Sequence, residues 1–140
     1  IVEGGHDLHG IEIDCGDTPD AVPALAVLGC YAQGKMKLYN IAASRMKETD
    51  RSKTIAQELR KMGAHIDEEE DSLTIYHSPL HGATIDGHND HRIVMATTCA
   101  ALGAEGPSFI DSVDHVGVSF PRFYEEMKGI GADIIRLAEK

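Results

Sequence analysis

Apolar positions recur at two spacings along this chain, and the switches between them mark its elements. Residues 8–14 alternate and predict a short strand. Residues 20–32 are apolar on nearly every side, the pattern of a buried helix, with Pro23 suited to its first turn and Gly34 to its end. A second strand follows over 36–41. Helical spacing then returns through Lys47, Arg51, Ile55, Leu59 and Met62, which predicts an amphipathic helix over 47–62 closed by Gly63. Residues 65–69 and 73–77 bracket the run Asp67-Glu68-Glu69-Glu70-Asp71 as a hairpin with a solvated acidic turn.

The order then begins again. A strand is expected over 83–86, a helix over 90–102 closed at Gly103, a strand over 108–111, a helix over 120–128 and a last strand over 133–137. Lys61-Met62-Gly63-Ala64-His65-Ile66 is matched by Gly129-Ile130-Gly131-Ala132-Asp133-Ile134, each after a helix ending in glycine. Pro19-Asp20 is likewise matched by Asn89-Asp90, each before an apolar helix and a strand. The expectation is an α/β fold of two related units, about 1–79 and 80–140, packed as one domain because no Pro-, Gly- or Ser-rich linker divides them.

Composition narrows the function. At 140 residues with 42% hydrophobic positions the chain can build one core, and no apolar run approaches the ~20 residues that span a membrane. The net charge of −10 argues against nucleic acid as a partner. Cys15, Cys30 and Cys99 are odd in number and widely spaced, and read as reduced core residues of a cytoplasmic protein. The chain opens at Ile1 rather than Met and lacks a signal-like start, which is read as a piece of a longer polypeptide.

Against that acidic background, cations on a helix stripe stand out. Lys47 and Arg51 lie on the line that should bury, which is costly unless an anion meets them. Helix starts present unpaired N–H groups and a partial positive charge. Three such starts, at Asp20, at Lys47–Arg51 and at Asp90-His91-Arg92, would pool Lys47, Arg51 and Arg92 around one cleft if they point the same way. Arginine suits this task because its planar fork meets carboxylate or phosphate with two hydrogen bonds. Asp20, Glu48 and His91 add groups for proton transfer beside a fixed anion. Taken singly, Asp20 reads as an N-cap, Glu48 as a partner of the helix dipole and His91 as an orienting polar residue. His88 and His91 beside Asp86 and Asp90 hint at metal, but no further ligands follow at a recognisable spacing, so none is expected.

Arg45-Met46-Lys47-Glu48-Thr49-Asp50-Arg51 resembles the R-x-K-E-(S/T)-D-R segment of the 5-enolpyruvylshikimate-3-phosphate synthase family, and Asn89-Asp90-His91-Arg92-Ile93-Val94-Met95-Ala96 resembles that family's second signature. Asp17-Thr18-Pro19-Asp20 and Ser119-Phe120-Pro121 match two further landmarks in the family's order. The likeness covers practically the whole chain but only the C-terminal portion of a two-domain enzyme. It implies two βαβαββ-type units of an inside-out α/β barrel. It also implies transfer of the carboxyvinyl group of phosphoenolpyruvate to the 5-hydroxyl of shikimate 3-phosphate, without metal or organic cofactor. By position, Asp20 would hold the 5-hydroxyl and serve as a base, Glu48 would move the proton at the methylene carbon and Lys47 would share in proton transfer. Arg51 and Arg92 would clamp the phosphoenolpyruvate carboxylate beside His91.

Two positions depart from the family pattern. The Lys expected just ahead of the Ser-Phe-Pro segment, where it meets the phosphate of phosphoenolpyruvate, is Val118 here. An Asn four residues before Lys47 is replaced by Ala43, and Ser44 is the residue that could take over its contact to the shikimate side. Two other readings stay open. One is the sister transferase acting on a UDP-amino sugar, against which the Lys47–Arg51 string weighs. The other is a non-catalytic anion-binding module, to which Val118 gives a foothold.

Overall fold

Strand β2 (Lys35–Tyr39) is an inner strand of the larger sheet. In the computed structural model, which describes residue 1 and residues 3–137, it runs parallel to β1 (Glu12–Asp14) and antiparallel to β4 (Ser72–Tyr76). Strand β3 (Ile66–Glu68) pairs on the far side of β4, giving the order β1-β2-β4-β3. The register sets Met36 against Ile75 and Leu38 against Leu73, so apolar side chains share one face of the pleat.

That face is covered by helices. α1 (Val22–Tyr31) contributes Val22, Ala26 and Cys30 to the core, α2 (Arg51–Lys61) contributes Ile55 and Leu59, and α3 (His91–Gly103) contributes Ile93, Ala96 and Ala100. Gly29 lets α1 lie close on the sheet, since a Cβ there would stand 3.0 Å from the Ile75 Cβ and 3.2 Å from the Met36 Cβ. The Tyr31 hydroxyl donates to the Ala100 carbonyl at 2.6 Å and ties α1 to α3. The second half adds β5 (Thr84–Ile85) parallel to β6 (Phe109–Ile110), and α4 (Phe123–Gly129). A smaller apolar cluster of Val94, Val116 and Phe123 joins α4 to α3.

The succession strand, helix, strand, 3₁₀ turn, helix occurs twice, the 3₁₀ turns being Ala42–Met46 and Val113–Val118. Four expectations need correction. Residues 47–50 are not helical: the Asp50 side chain accepts from the Lys53 N–H at 3.0 Å and starts α2 at Arg51. Residues 133–137 form no strand, and Ile135 and Leu137 are 77% and 70% exposed. The acidic turn is not simply solvated. Arg45 donates to the Glu68 carboxylate at 2.9 Å and to the Glu69 and Glu70 carbonyls at 2.7 and 2.9 Å, while Asp71 accepts from the Ala42 N–H at 3.0 Å. Cys15 and Cys30 are buried but Cys99 is exposed. Among the described residues no helix is long and apolar enough to cross a membrane.

Candidate active site

Three segments, remote in sequence, meet in front of the helix starts. The first is the 3₁₀ turn Pro19–Ala21 that leads into α1. The second is the loop 47–50 between the 3₁₀ turn Ala42–Met46 and α2. The third is the start of α3, where Asp90 caps the helix by accepting from the Arg92 N–H at 3.0 Å.

Arg51 is the hub. Its side chain is 1% exposed, and all three of its nitrogens are met by carboxylates. Nε donates to Asp90 Oδ2 at 2.8 Å, Nη1 to Asp20 Oδ1 at 2.8 Å and Nη2 to Glu48 Oε2 at 2.5 Å. Asp20 in turn draws two more cations, Lys47 Nζ at 3.3 Å and Arg92 Nη2 at 3.6 Å. Asp20 therefore caps no helix through its side chain; it is the point on which Lys47, Arg51 and Arg92 converge. Burial pushes its carboxyl up, but Lys47, Arg92 and Arg51 outweigh this and hold it below the ordinary carboxylate range.

The carboxylates differ in depth. Asp20 and Glu48 are 45% and 50% exposed, whereas the Asp90 side chain is fully buried. Asp90 also accepts from the Thr49 hydroxyl at 3.1 Å. Burial raises its carboxyl, and the bonds from Arg51, Arg92 and Thr49 more than reverse that. Asp90 and Thr49 belong to this site through these bonds, although neither is expected there from the motif residues alone. The available signal was Arg51 itself, since an arginine on a burying stripe requires a buried carboxylate facing it. His91 is buried in the first turn of α3. Ser44 is fully buried in the 3₁₀ turn Ala42–Met46, with no hydrogen-bond partner for its Oγ. Val118 ends the 3₁₀ turn Val113–Val118 and is 74% exposed.

The arrangement holds one permanent pair, Arg51–Asp90, and two outward carboxylates that occupy cations an incoming anion could take over. A doubly or triply charged ligand entering here would compete with Asp20 and Glu48 for the guanidinium and ammonium groups. Freed carboxylates beside a bound, cation-held substrate are groups for proton transfer.

The family model described as EPSP synthase (3-phosphoshikimate 1-carboxyvinyltransferase) matches residues 1–127. The chain belongs to the EPSP synthase family. It is 50% identical over 133 residues to the 3-phosphoshikimate 1-carboxyvinyltransferase of Methanocella arvoryzae, covering 95% of this chain and 31% of that protein. To the enzyme of the same name from Methanocaldococcus jannaschii it is 48% identical over 135 residues, covering 96% and 32%. Among solved structures, an EPSP synthase from Acinetobacter baumannii superposes with a TM-score of 0.83 at 34% identity, over 90% of this chain and 31% of that one. The fold is thus a mixed α/β arrangement resembling part of EPSP synthase, and the chain spans about a third of the length of these relatives.

Proposed function

We propose that this chain supplies one wall of an active site that transfers the carboxyvinyl group of phosphoenolpyruvate to the 5-hydroxyl of shikimate 3-phosphate. Its two halves are read as copies of one βαβαββ plan within the C-terminal, inside-out α/β barrel domain of a cytoplasmic enzyme, whose N-terminal domain forms the opposite wall. The observation that carries the reading is the convergence of Lys47, Arg51 and Arg92 on the single carboxylate of Asp20.

Phosphoenolpyruvate brings a carboxylate and a phosphate, and such a ligand matches three cations pooled in one place. Arg51 and Arg92 take its carboxylate, with His91 beside them; Ser44 is fully buried and makes no contact with a ligand in this arrangement. As the anion takes over the cations, Asp20 loses the charges that hold its carboxyl low and becomes a stronger base for the 5-hydroxyl proton. Binding of the donor thereby prepares the base that activates the acceptor. The hydroxyl oxygen bonds to C2 of phosphoenolpyruvate as its proton passes to Asp20, while C3 takes a proton supplied by the Lys47 ammonium and passed through Glu48. Removal of a proton from the C3 methyl group by the Glu48 carboxylate then expels phosphate from the tetrahedral adduct. No step calls for a metal or organic cofactor.

The test is phosphate release with both substrates, first from this chain alone and then from the chain mixed with a polypeptide supplying the rest of the family's length. Turnover only in the mixture is expected, and Asp20→Asn should lower kcat by about 10²–10⁴-fold there. Robust turnover by the chain alone would refute the half-site idea. Binding of both substrates without turnover would replace it with an anion-binding module.

A further inference from the structure

Glu58 lies two turns along α2 from Arg51, about 10 Å down the axis, and touches no member of the anion cluster. Its side chain is nonetheless 2% exposed and fully engaged. Oε1 lies 2.9 Å from His88 Nε2, and Oε2 accepts from Lys61 Nζ at 2.7 Å and from the Asp86 N–H at 3.1 Å. A buried carboxylate is a costly way to stabilise a helix face, and it calls for a reason beyond packing.

The reason lies in the turn it holds. His88 and Asn89 both carry positive φ, 52° and 53°, a conformation that residues other than glycine adopt at a cost and that persists only when neighbours enforce it. The enforcement is visible on every side. The Asp86 carboxylate accepts from the His88 N–H at 2.7 Å, and the Gly87 N–H donates to Asp111 Oδ1 at 2.7 Å. Gly87 is wedged so tightly that a Cβ would stand 2.5 Å from the Asp111 carbonyl oxygen. The residues that follow this turn are Asp90, which holds Arg51, and Arg92, which pairs with Asp20.

We propose that Glu58 is a positioning residue for the anion cluster, gripping the 86–90 turn through His88 so that Asp90 and Arg92 stand at the right height. α2 then holds the turn at two points, through Arg51 on Asp90 at its start and through Glu58 on His88 two turns later. Burial pushes the Glu58 carboxyl up, yet Lys61, His88 and the Asp86 N–H together keep it below the ordinary range, so it grips as a carboxylate. The kinetic consequence rests on the transferase reading; the positional one does not.

His88 is 31% exposed, so it can be changed with less risk to folding than Glu58. Exchange of the Arg51 side-chain Nε–H, which donates to Asp90, is followed by NMR in the intact chain against the core amides of Leu38 and Ile75. In His88→Ala it should speed about tenfold with the core amides unchanged, while His88→Gln, which can still donate to Glu58, should stay within about twofold of the parent. An unchanged Arg51 Nε–H, or core amides accelerating in proportion, would overturn the proposal. In the reconstituted enzyme His88→Ala should also raise KM for phosphoenolpyruvate about tenfold and leave KM for shikimate 3-phosphate and kcat in place. A fall in kcat with both KM values unmoved would reduce Glu58 to a structural residue. If the parent mixture turns nothing over, the transferase reading fails while the exchange measurement still decides the grip.

Discussion

Replacing Asp90 by Ala strips the buried Arg51 of one of its three partners, and the size of the loss can be worked out. Asp90 is fully buried and Arg51 is 1% exposed, so the orphaned Nε–H faces protein rather than water. Breaking a buried pair from one side costs about 3–5 kcal/mol. The same side chain caps α3 through the Arg92 N–H, and loss of a cap costs about 1 kcal/mol more, though the two overlap because one group does both. A total of about 4 kcal/mol is a large part of the 5–15 kcal/mol that hold a domain together. Asp90→Asn keeps an acceptor for the cap and the shape of the site, and should cost roughly half as much. Urea unfolding followed by far-ultraviolet circular dichroism at neutral pH gives both values. Removing both partners at once, Arg51→Met with Asp90→Asn, should cost less than the sum of the single changes by about 2 kcal/mol or more. The pH dependence has a definite sign. The folded Asp90 carboxyl lies below its unfolded value, so its contribution is present above that unfolded value and fades as pH falls through the folded one. Asp90→Asn should flatten that part of the acid limb. Additive costs in the double variant would show that Arg51 does not depend on Asp90, and the reasoning would fall with it.

Arg45→Met should loosen the acidic turn from the loop that carries Lys47 and Glu48, since it removes bonds to Glu68 and to the Glu69 and Glu70 carbonyls; a loss of about 2–3 kcal/mol is expected in the same urea assay. Gly29→Ala places a methyl group 3.0 Å from the Ile75 Cβ and should destabilise by about 1–3 kcal/mol despite the better helix propensity of alanine, read as a lowered urea midpoint. A colorimetric thiol reagent should modify Cys99 in the folded chain and reach Cys15 and Cys30 only on unfolding, because Cys99 is exposed while the other two are buried.

Much of this molecule was legible in its residues because the information is local. Alternation and helical spacing located the elements of the first half, and glycine closed the helices where φ turns positive at Gly34 and Gly63. Periodicity overran one boundary: it carried the second helix back to Lys47, although Asp50 is a strong capping residue and stops it at Arg51. The consequence is chemical, since Lys47 and Glu48 gain the freedom of a loop to reach Asp20 and Arg51. What the residues could not disclose was pairing across distance. That Arg45 threads into the acidic hairpin and that Asp90 answers Arg51 depends on how elements pack. Residues 133–137 make the same point from the other side, because alternation alone makes no strand until its backbone is bonded to another.

The balance of charge in the cleft sets how ligands arrive. Lys47, Arg51 and Arg92 are matched one for one by Asp20, Glu48 and Asp90, on a chain whose net charge is −10. From beyond a screening distance of about 8 Å the site therefore presents no attractive field to an approaching anion. The chain's net negative charge opposes the encounter, and the on-rate should rise as added salt screens that repulsion. Anions are then sorted by how long they stay, which falls to whichever ligand keeps both displaced carboxylates from swinging back.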